Sequence, residues 1–374
     1  MIRIVCNFLR PSKTGVQKKL VTDVGPDAVL QDKMGIFRDH LSAKQILLGD
    51  GATGTNYFAL GLETGHPPEF WNEEHPEHVL GLHQRFLEAG SDLILTNSFG
   101  GTSYRLKLHQ AEDRVAPLNR KAAELARQAV ARHADRTGRQ ALVAGSMGPT
   151  GELFAPLGML DHGAAVAAYT AQAEALAEGG VDLLWIETIS SIEEADAAIE
   201  AAQSTGIEVV VTMTFDTAGK SMMGVNPADF AVHAHARGVA GVGANCGVGP
   251  AELMHSVMQM PEGVGAMPII AKGNCGIPEY VDGAIHYHGS PELMARYAVL
   301  ARDAGAKVVG GCCGTTPEHV AAMRQALDET PPGQAVDDAR LAAEIGTPWK
   351  GLEDAANAEA GSAGRDGRRG RRRR

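Results

Sequence analysis

The strongest constraint on the fold is a regular alternation of short apolar segments with helical segments along most of the chain. The apolar segments are brief, rich in β-branched residues and suited to strands covered on both faces. Eight such segments span residues 46–50, 92–96, 141–146, 182–187, 208–213, 239–245, 268–273 and 307–311. Amphipathic helical segments lie between them, including 76–89, 114–134, 163–178, 191–202 and 290–304. Eight βα units in about 300 residues predict a (β/α)8 TIM barrel.

The predicted barrel occupies residues 34–328, between an N-terminal extension at 1–33 and a C-terminal segment at 329–374. A doubly wound open sheet is the alternative architecture, but no GxGxxG or GxxxxGK[ST] motif supports a nucleotide-binding sheet. Seven of the last ten residues are arginine, and such dense like charge predicts a disordered basic tail. The whole 374-residue chain carries a formal net charge of −11, so its acidic body argues against nucleic acid as a partner.

The number of cysteines and the hydropathy of the chain indicate the cellular compartment in which the protein is expected. Five cysteines without an even framework of spacings argue against a disulfide-stapled secreted protein. The first ten residues are too short an apolar run for a signal peptide, and no other stretch is long enough to cross a membrane. We therefore expect a cytoplasmic protein without a membrane partner. Cys6 falls in the N-terminal extension, and Cys275 is interpreted as structural.

Three cysteines at strand ends have the pattern of a metal site. Cys312 and Cys313 follow the eighth strand between Gly310 and Gly314, and Cys246 follows the sixth. Adjacent side chains point to opposite faces of a strand, so the pair can share an ion only where glycine lets the chain turn. Small buried hydrophobes are the alternative interpretation. Soft thiolates select zinc, and three of them leave a fourth position open, which predicts a Zn²⁺ that activates a thiol substrate.

Polar residues at other strand ends would face the same axial pocket. Asp50 and Glu187 are candidates for binding the ammonium group of an amino acid, and the N–H groups of Gly51 and Ala52 for binding its carboxylate. The alternatives are an ordinary turn at Asp50, and a helix N-cap or solvated strand end at Glu187. Thr96 is a weaker candidate, for which a structural hydroxyl is the alternative.

Five runs of sequence resemble the zinc-dependent homocysteine S-methyltransferase family. The family includes betaine-homocysteine and S-methylmethionine-homocysteine methyltransferases and the homocysteine-binding half of cobalamin-dependent methionine synthase. The resemblance spans roughly residues 40–328, and its Gly-Gly-Cys-Cys-Gly element is highly specific. The runs are Gly49 to Thr55, Gly145 to Pro149, Ile186 to Thr188, Gly243 to Cys246 and Gly310 to Pro317.

The resemblance implies a (β/α)8 barrel that makes methionine by transferring a methyl group to the homocysteine thiolate. The implied zinc ligands are Cys246, Cys312 and Cys313, with Asn274 in the fourth position until substrate displaces it. The implied homocysteine contacts are Asp50, Gly51, Thr96 and Glu187. The catalytic set is then the three cysteines with Glu187.

The sequence identifies the methyl donor less closely than it identifies the methyl acceptor. Trp71 resembles the tryptophan that betaine enzymes use, where an aromatic face meets a quaternary ammonium, and plain packing is the alternative. At positions where animal betaine enzymes carry tyrosines, this chain has Gly100 and Thr188, and the second of these resembles methionine synthase.

Betaine or a related onium compound is the donor that we expect. One alternative is the homocysteine subunit of a split methionine synthase that takes methyl from a corrinoid protein partner. The other is a non-catalytic zinc- or thiol-binding protein. The segment at 329–374 is a candidate for subunit contact in a homo-oligomer.

Overall fold

The computed structural model describes residues 35–281 and 284–349. The predicted N-terminal extension with Cys6, and the arginine-rich tail, lie outside these residues. The described strands, numbered in chain order, are β1 Leu47–Leu48, β2 Leu93–Leu95, β3 Leu142–Met147, β4 Leu183–Ile189, β5 Glu208–Met213, β6 Gly241–Cys246, β7 Ile269–Gly273, β8 Pro278–Val281, β9 Ala284–Tyr287 and β10 Ala306–Gly311.

Eight of these strands form one parallel sheet in the order β1-β10-β7-β6-β5-β4-β3-β2. The ring closes between β1 and β2 through a single parallel bridge that joins Gly49 and Leu93. The Asp92 N–H also donates to the Leu48 carbonyl across this gap, at 2.7 Å. The predicted TIM barrel is therefore confirmed.

Helices surround the barrel and connect its strands. They are α1 Ile36–Lys44, α2 Gly54–Ala59, α3 Trp71–Glu74, α4 Pro76–Glu88, α5 Ser103–Lys107, α6 Val115–Thr137, α7 His162–Gly179, α8 Ile192–Gln203, α9 Pro227–Ala236, α10 Pro250–Val257, α11 Pro291–Asp303, α12 Pro317–Glu329 and α13 Asp338–Ile345. Short 3₁₀ turns lie at Pro68–Phe70 and Glu112–Arg114. Within the described residues, none of these helices combines the length and the apolar character that a membrane span requires.

Local sequence explains where the helices start and stop. The side chains of Asp161, Ser191 and Ser290 each accept a hydrogen bond from a backbone N–H in the first turn of the following helix. Gly138 and Gly180 end α6 and α7 in the left-handed conformation, which glycine adopts without strain. These signals place the predicted helix boundaries within a few residues of the observed ones.

A hairpin near the site is among the elements that were not predicted. An antiparallel hairpin of β8 and β9 follows the seventh barrel strand, and it pairs Pro278 with Tyr287. Its segments are too short to show a clear alternation of polar and apolar residues. The Asp-Gly pair at 282–283 was the available signal, since this dipeptide favours tight hairpin turns.

Side chains alternate between the lumen of the barrel and the layer beneath the helices. One apolar cluster fills the lumen, and its strand residues are Leu47, Leu93, Leu95, Leu142, Ala144, Leu183, Trp185, Val210, Ile270 and Val308. Phe37 and Leu41 of α1 join the same cluster and close the floor. Because strand side chains repeat every second residue, the next inward positions toward the carboxyl ends fall to Ser146, Glu187 and Lys272.

A buried histidine in α4 predicts an acid-sensitive fold. His83 is 2% exposed, its Nε2 atom has no partner among the described residues, and burial lowers its pKa to about 4. The unfolded chain, with a pKa of about 6.5, binds a proton there first, so the free energy of unfolding falls as the pH drops from about 6.5 toward 4. Between pH 7 and pH 5, where most unfolded chains but few folded ones bind this proton, the His83 contribution to the loss is about 2 kcal/mol. Denaturant titrations at pH 7 and pH 5 measure it.

The matched variant is His83→Leu, which keeps a similar volume and removes the titrating group. We expect its stability to change less between the two pH values than that of the parent chain. An equal change in both proteins would contradict the prediction.

Candidate active site

The three predicted metal-binding cysteines converge at the carboxyl ends of β6 and β10. Their Sγ atoms all lie within 4.8 Å of one another, and those of Cys246 and Cys313 are 3.9 Å apart. Zinc–sulfur bonds of about 2.3 Å in a tetrahedron place two sulfur atoms about 3.8 Å apart. Hydrogen bonds from the thiols of Cys246 and Cys312 lower the pKa of Cys313, whereas hydrogen bonding and burial raise the pKa of Cys246 and of Cys312. The donor set therefore fits zinc in its sulfur–sulfur spacing and in the softness of its ligands.

Unusual backbone geometry brings these thiols together. Cys246 has a φ of 61°, a left-handed conformation that costs free energy for a residue with a Cβ atom. Gly314 has a φ of 78°, and a Cβ there would lie 2.4 Å from the Cβ of Tyr287. A Cβ at Gly311 would lie 2.2 Å from the Thr315 side chain. The glycines around the cysteine pair are thus required by close contacts as well as by the turn.

Replacing Gly314 with alanine should disturb the metal site. The new methyl group would collide with Tyr287 in a backbone conformation that disfavours it, so we expect a loss of about 1–3 kcal/mol in unfolding free energy and weaker zinc binding. Denaturant unfolding and a competitive zinc chelator measure the two effects. Gly81→Ala is the control, since Gly81 lies inside α4 with no atom within 4 Å of the added Cβ. That change should stabilise the chain by about 0.5–1 kcal/mol.

Asn274 connects the two cysteine loops. Its Oδ1 accepts from the Cys313 N–H at 3.0 Å, and its Nδ2 donates to the Gly247 carbonyl at 2.6 Å. The side chain is 1% exposed. In this arrangement Asn274 supports the ligand-bearing loops from the side, and its role as a fourth zinc ligand stays a prediction.

A buried ion pair involves Asp50, one of the two carboxylates that were predicted to bind the substrate ammonium. Lys272 Nζ is 2.8 Å from Asp50 Oδ1, and both side chains are at most 3% exposed. The other oxygen, Asp50 Oδ2, accepts from the Leu95 N–H at 2.8 Å. Lys272 Nζ also lies 5.6 Å from the ring centroid of Trp185, within cation–π range. Both oxygens of Asp50 are thus bonded to the protein itself.

Glu187 is held by a chain of polar groups. Its Oε1 accepts a hydrogen bond from the Ser146 hydroxyl. The Ser146 N–H in turn donates to Thr96 Oγ1 at 3.0 Å, and the Thr96 hydroxyl is 2.6 Å from that of Ser98. Thr96 therefore reaches the site through Ser146, in keeping with the structural alternative for its hydroxyl.

Charge and burial oppose each other in this group. Burial raises the pKa of Glu187 to about 7, against the attraction of Lys272. Burial alone would lower the pKa of Lys272, but the attraction of Asp50, Glu187 and Cys312 outweighs it, and the pKa of Lys272 is raised. Lys272 therefore favours its charged form among these acidic groups.

The glycine turn after β1 packs against the cysteine loop. The Ala52 N–H donates to the Thr315 carbonyl at 3.1 Å, and the Asn56 amide donates to the same oxygen at 3.0 Å. A Cβ at Gly51 would lie 2.5 Å from that oxygen. Ala52 is thus already hydrogen-bonded within the protein, and Gly51 remains the candidate from this turn for a substrate carboxylate.

Trp71 lies in a packed aromatic cluster. It is 5% exposed, and its ring centroid is 5.3 Å from that of Tyr57. His75 and His78 cover it at 5.0 and 5.2 Å. This contact set agrees with the packing alternative, and the donor role of Trp71 stays a prediction.

Two residues near the site escaped the sequence interpretation. Lys272 occupies an inward position of β7, and the signal was a lysine within the apolar run Ile-Ile-Ala-Lys-Gly. Tyr287, from the unpredicted hairpin, lies over Gly314, and its hydroxyl donates a hydrogen bond to the Cys313 sulfur. Burial raises the pKa of Tyr287. Without the hairpin, nothing in the sequence placed Tyr287 beside the cysteines.

Comparison with known proteins adds a family match. The family described as homocysteine S-methyltransferase matches residues 47–327. Curated relatives described as methionine synthase are 31% identical over 309 residues in Mycobacterium leprae and 30% identical over 300 residues in Mycobacterium tuberculosis. These alignments cover 78% and 76% of this chain but 25% of each relative. The chain thus spans about a quarter of the length of those relatives.

Solved structures give the same match. The oxidized and metallated forms of the homocysteine methyltransferase MmuM from Escherichia coli are each 25% identical to this chain, with a TM-score of 0.66. The alignments cover 77% of this chain and 98% and 99% of those chains. The similarity therefore extends over nearly the whole of that protein.

Proposed function

Since the chain belongs to the homocysteine S-methyltransferase family, we propose that it transfers a methyl group to the sulfur of homocysteine and releases methionine. The observation that carries the proposal is the convergence of three thiols within 4.8 Å, one of which, Cys312, interacts electrostatically with the buried carboxylate of Glu187. The thiol of homocysteine matches the three cysteines, and its ammonium group matches the Glu187 carboxylate.

Zinc is the cofactor that the three thiols fit. Cys246, Cys312 and Cys313 would hold it, and Asn274 supports the loops that carry them. When bound there, zinc supplies Lewis acidity that favours the thiolate form of a coordinating thiol near neutral pH. The glycine-bounded turn keeps the ligand-bearing backbone in place.

Binding of the head group falls chiefly to Glu187. Ser146 holds one of its carboxylate oxygens, so the other is available to accept from the homocysteine ammonium. Asp50 acts through its charge, because Lys272 and the Leu95 N–H bind its two oxygens. The Gly51 N–H is the proposed donor to the substrate carboxylate. Together these groups would orient the sulfur toward the methyl donor.

The transfer is a single displacement with no group left on the enzyme. The homocysteine sulfur forms a bond to the methyl carbon while the bond between that carbon and its leaving atom breaks. The leaving group departs with the bonding electron pair, and the thiol proton passes to solvent. The protein's contribution is to fix the approach and to keep the sulfur deprotonated.

A small onium compound such as betaine is our first candidate donor. A cationic donor is attracted to a site that holds the buried carboxylates of Asp50 and Glu187. Its positive charge is lost as the methyl group leaves. Trp71 is the proposed aromatic partner of a quaternary ammonium, which would have to displace the His75 or His78 ring that covers the indole.

A corrinoid protein partner is the second candidate donor. The methionine synthase relatives favour it, and so does the mouth of the barrel, where loops after β3, β5 and β7 expose large apolar side chains. Among these, Met159 is 95% exposed, Leu157 71%, Met222 70% and Ile277 56%. Exposed apolar surface of this kind is typical of protein contact sites.

The experiment supplies zinc-loaded protein with homocysteine and one donor at a time: betaine, a dimethylsulfonio compound, S-methylmethionine or methylcobalamin. Methionine is then measured. Formation from betaine alone supports the first candidate, and formation from methylcobalamin alone supports the second. Homocysteine binding without methionine from any of the donors would contradict the enzymatic proposal and favour a non-catalytic thiol-binding protein.

A further inference from the structure

We propose that His75, Glu77 and His78 form a second metal site, which binds a divalent transition metal such as Ni²⁺, Co²⁺ or Zn²⁺. The three residues lie at the start of α4, in the connection between β1 and β2. This site is distinct from the thiol trio, whose ligands follow β6 and β10. Its donors are nitrogen and oxygen atoms, and it is open to solvent.

The donor atoms are already close to a coordinating arrangement. His75 Nδ1 lies 3.5 Å and His78 Nε2 lies 4.0 Å from the same oxygen, Glu77 Oε1. One ligand atom from each residue falls within 4.8 Å of the other two. Metal–nitrogen and metal–oxygen bonds of about 2.0–2.2 Å place neighbouring ligands about 3.3–3.6 Å apart. Small side-chain rotations would therefore bring all three donors onto one ion.

Packing restrains the two imidazoles before any ion arrives. Both rings rest against the buried indole of Trp71, with centroid distances of 5.0 Å for His75 and 5.2 Å for His78. The two imidazole centroids are 5.6 Å apart. Because Trp71 is 5% exposed and packs on Tyr57, it forms a fixed platform. Side chains held in this way lose less conformational entropy on binding than free surface side chains do.

The donor chemistry selects the class of ion. Imidazole suits zinc, copper and nickel, whereas calcium and magnesium prefer sites built from oxygen alone. The start of a helix carries partial positive charge, which opposes a cation, and the Glu77 carboxylate offsets it. Side-chain exposures of 47% for His75, 66% for Glu77 and 40% for His78 leave room for water in the remaining positions.

A neighbouring pair supplies the matched comparison. His66 Nε2 lies 2.7 Å from Glu74 Oε2 on the same connection. Among the described residues, the only groups of three or more potential ligands are the thiol trio and the His75 cluster. His66 therefore has a carboxylate partner on the same connection, as the two histidines of the proposed site do, but it lacks a third donor.

The experiment uses untagged full-length protein whose thiol site has first been saturated with zinc. Ni²⁺ is titrated by calorimetry, and tryptophan fluorescence is followed in parallel. We expect one further equivalent of Ni²⁺ to bind and to quench part of the fluorescence, since one of the three tryptophans, Trp71, touches both histidines. In a Co²⁺ titration, the absorption spectrum should lack thiolate-to-cobalt charge transfer.

Two variants and a control decide the assignment. His75→Ala and His78→Ala should each weaken Ni²⁺ binding by at least about 10–100-fold. Replacing a residue that only hydrogen-bonds to a metal ligand already causes a loss of that size, so removing a ligand should cost no less. His66→Ala should leave the affinity unchanged. The proposal is overturned if zinc-loaded protein binds no further Ni²⁺, if both variants bind as tightly as the parent, or if His66→Ala causes the same loss. None of these measurements depends on methyl transfer, so they stand apart from the proposed function.

Discussion

Cys312→Ala should lose both bound zinc and methionine formation. The Sγ of Cys312 is one of three that lie within 4.8 Å of one another, and two thiols with a methyl group cannot complete the same coordination. We expect zinc affinity and turnover to fall by more than about 100-fold, beyond the loss that a change to an outer-shell partner causes. Metal analysis after dialysis and a methionine assay measure the two losses.

Cys275→Ala is the matched control for this prediction. Cys275 is buried one residue after Asn274, but its Sγ contacts His319 Nε2 at 3.1 Å and the Gly289 carbonyl at 3.0 Å. It lies outside the trio, so this variant should retain its zinc. If Cys312→Ala kept full zinc and full turnover, the site would have been assigned to the wrong cysteines.

The second large effect is expected for Lys272→Met. This change leaves Asp50 buried without its ion-pair partner, so Asp50 must take up a proton or remain an uncompensated charge. Removing one partner of a buried pair costs about 3–5 kcal/mol. Urea unfolding of the zinc-free chain measures the loss without a contribution from metal binding.

A double-mutant cycle separates the ion pair from other effects of the substitution. Lys272→Met combined with Asp50→Asn removes both charges, and we expect it to be less destabilised than the sum of the two single changes. Lys121→Met is the surface control, because Lys121 and Glu124 are 42% and 51% exposed and an exposed pair contributes less than about 1 kcal/mol. A loss for Lys272→Met no larger than for Lys121→Met would show that the buried pair has no special weight.

The sequence predicted those parts of the molecule that depend on local rules. The β5 strand spans Glu208–Met213 as predicted, because a continuous apolar run is specified by its own residues. Cys246 and the Cys312-Cys313 pair meet because parallel strands of a barrel end on one face. Connectivity therefore places the three thiols on one face of the barrel, and the left-handed backbone of Cys246 with the glycines around the pair completes their approach.

The partners of individual side chains were beyond the reach of such rules. The bond between Lys272 and Asp50 joins residues 222 positions apart, and its geometry depends on how the two strands pack inside the lumen. Likewise, nothing in the sequence indicated that the Asn274 side-chain oxygen would accept a hydrogen bond from the Cys313 N–H. Long-range pairing of polar groups follows from the assembled barrel, and periodicity carries no information about it.

Asp50, a proposed substrate-binding residue, also helps to close the barrel at the junction between β1 and β2. Few backbone hydrogen bonds join these two strands, and two aspartate side chains add bonds between them. Asp50 accepts from the Leu95 N–H at 2.8 Å, and Asp92 accepts from the Leu48 N–H at 3.0 Å. Any cation that draws Asp50 away from Leu95 would loosen this join. The amide hydrogens of Leu48 and Leu95 should then exchange faster with solvent than those of the strands on the far side of the barrel, which are fully paired. Their exchange rates would therefore report local opening of the barrel.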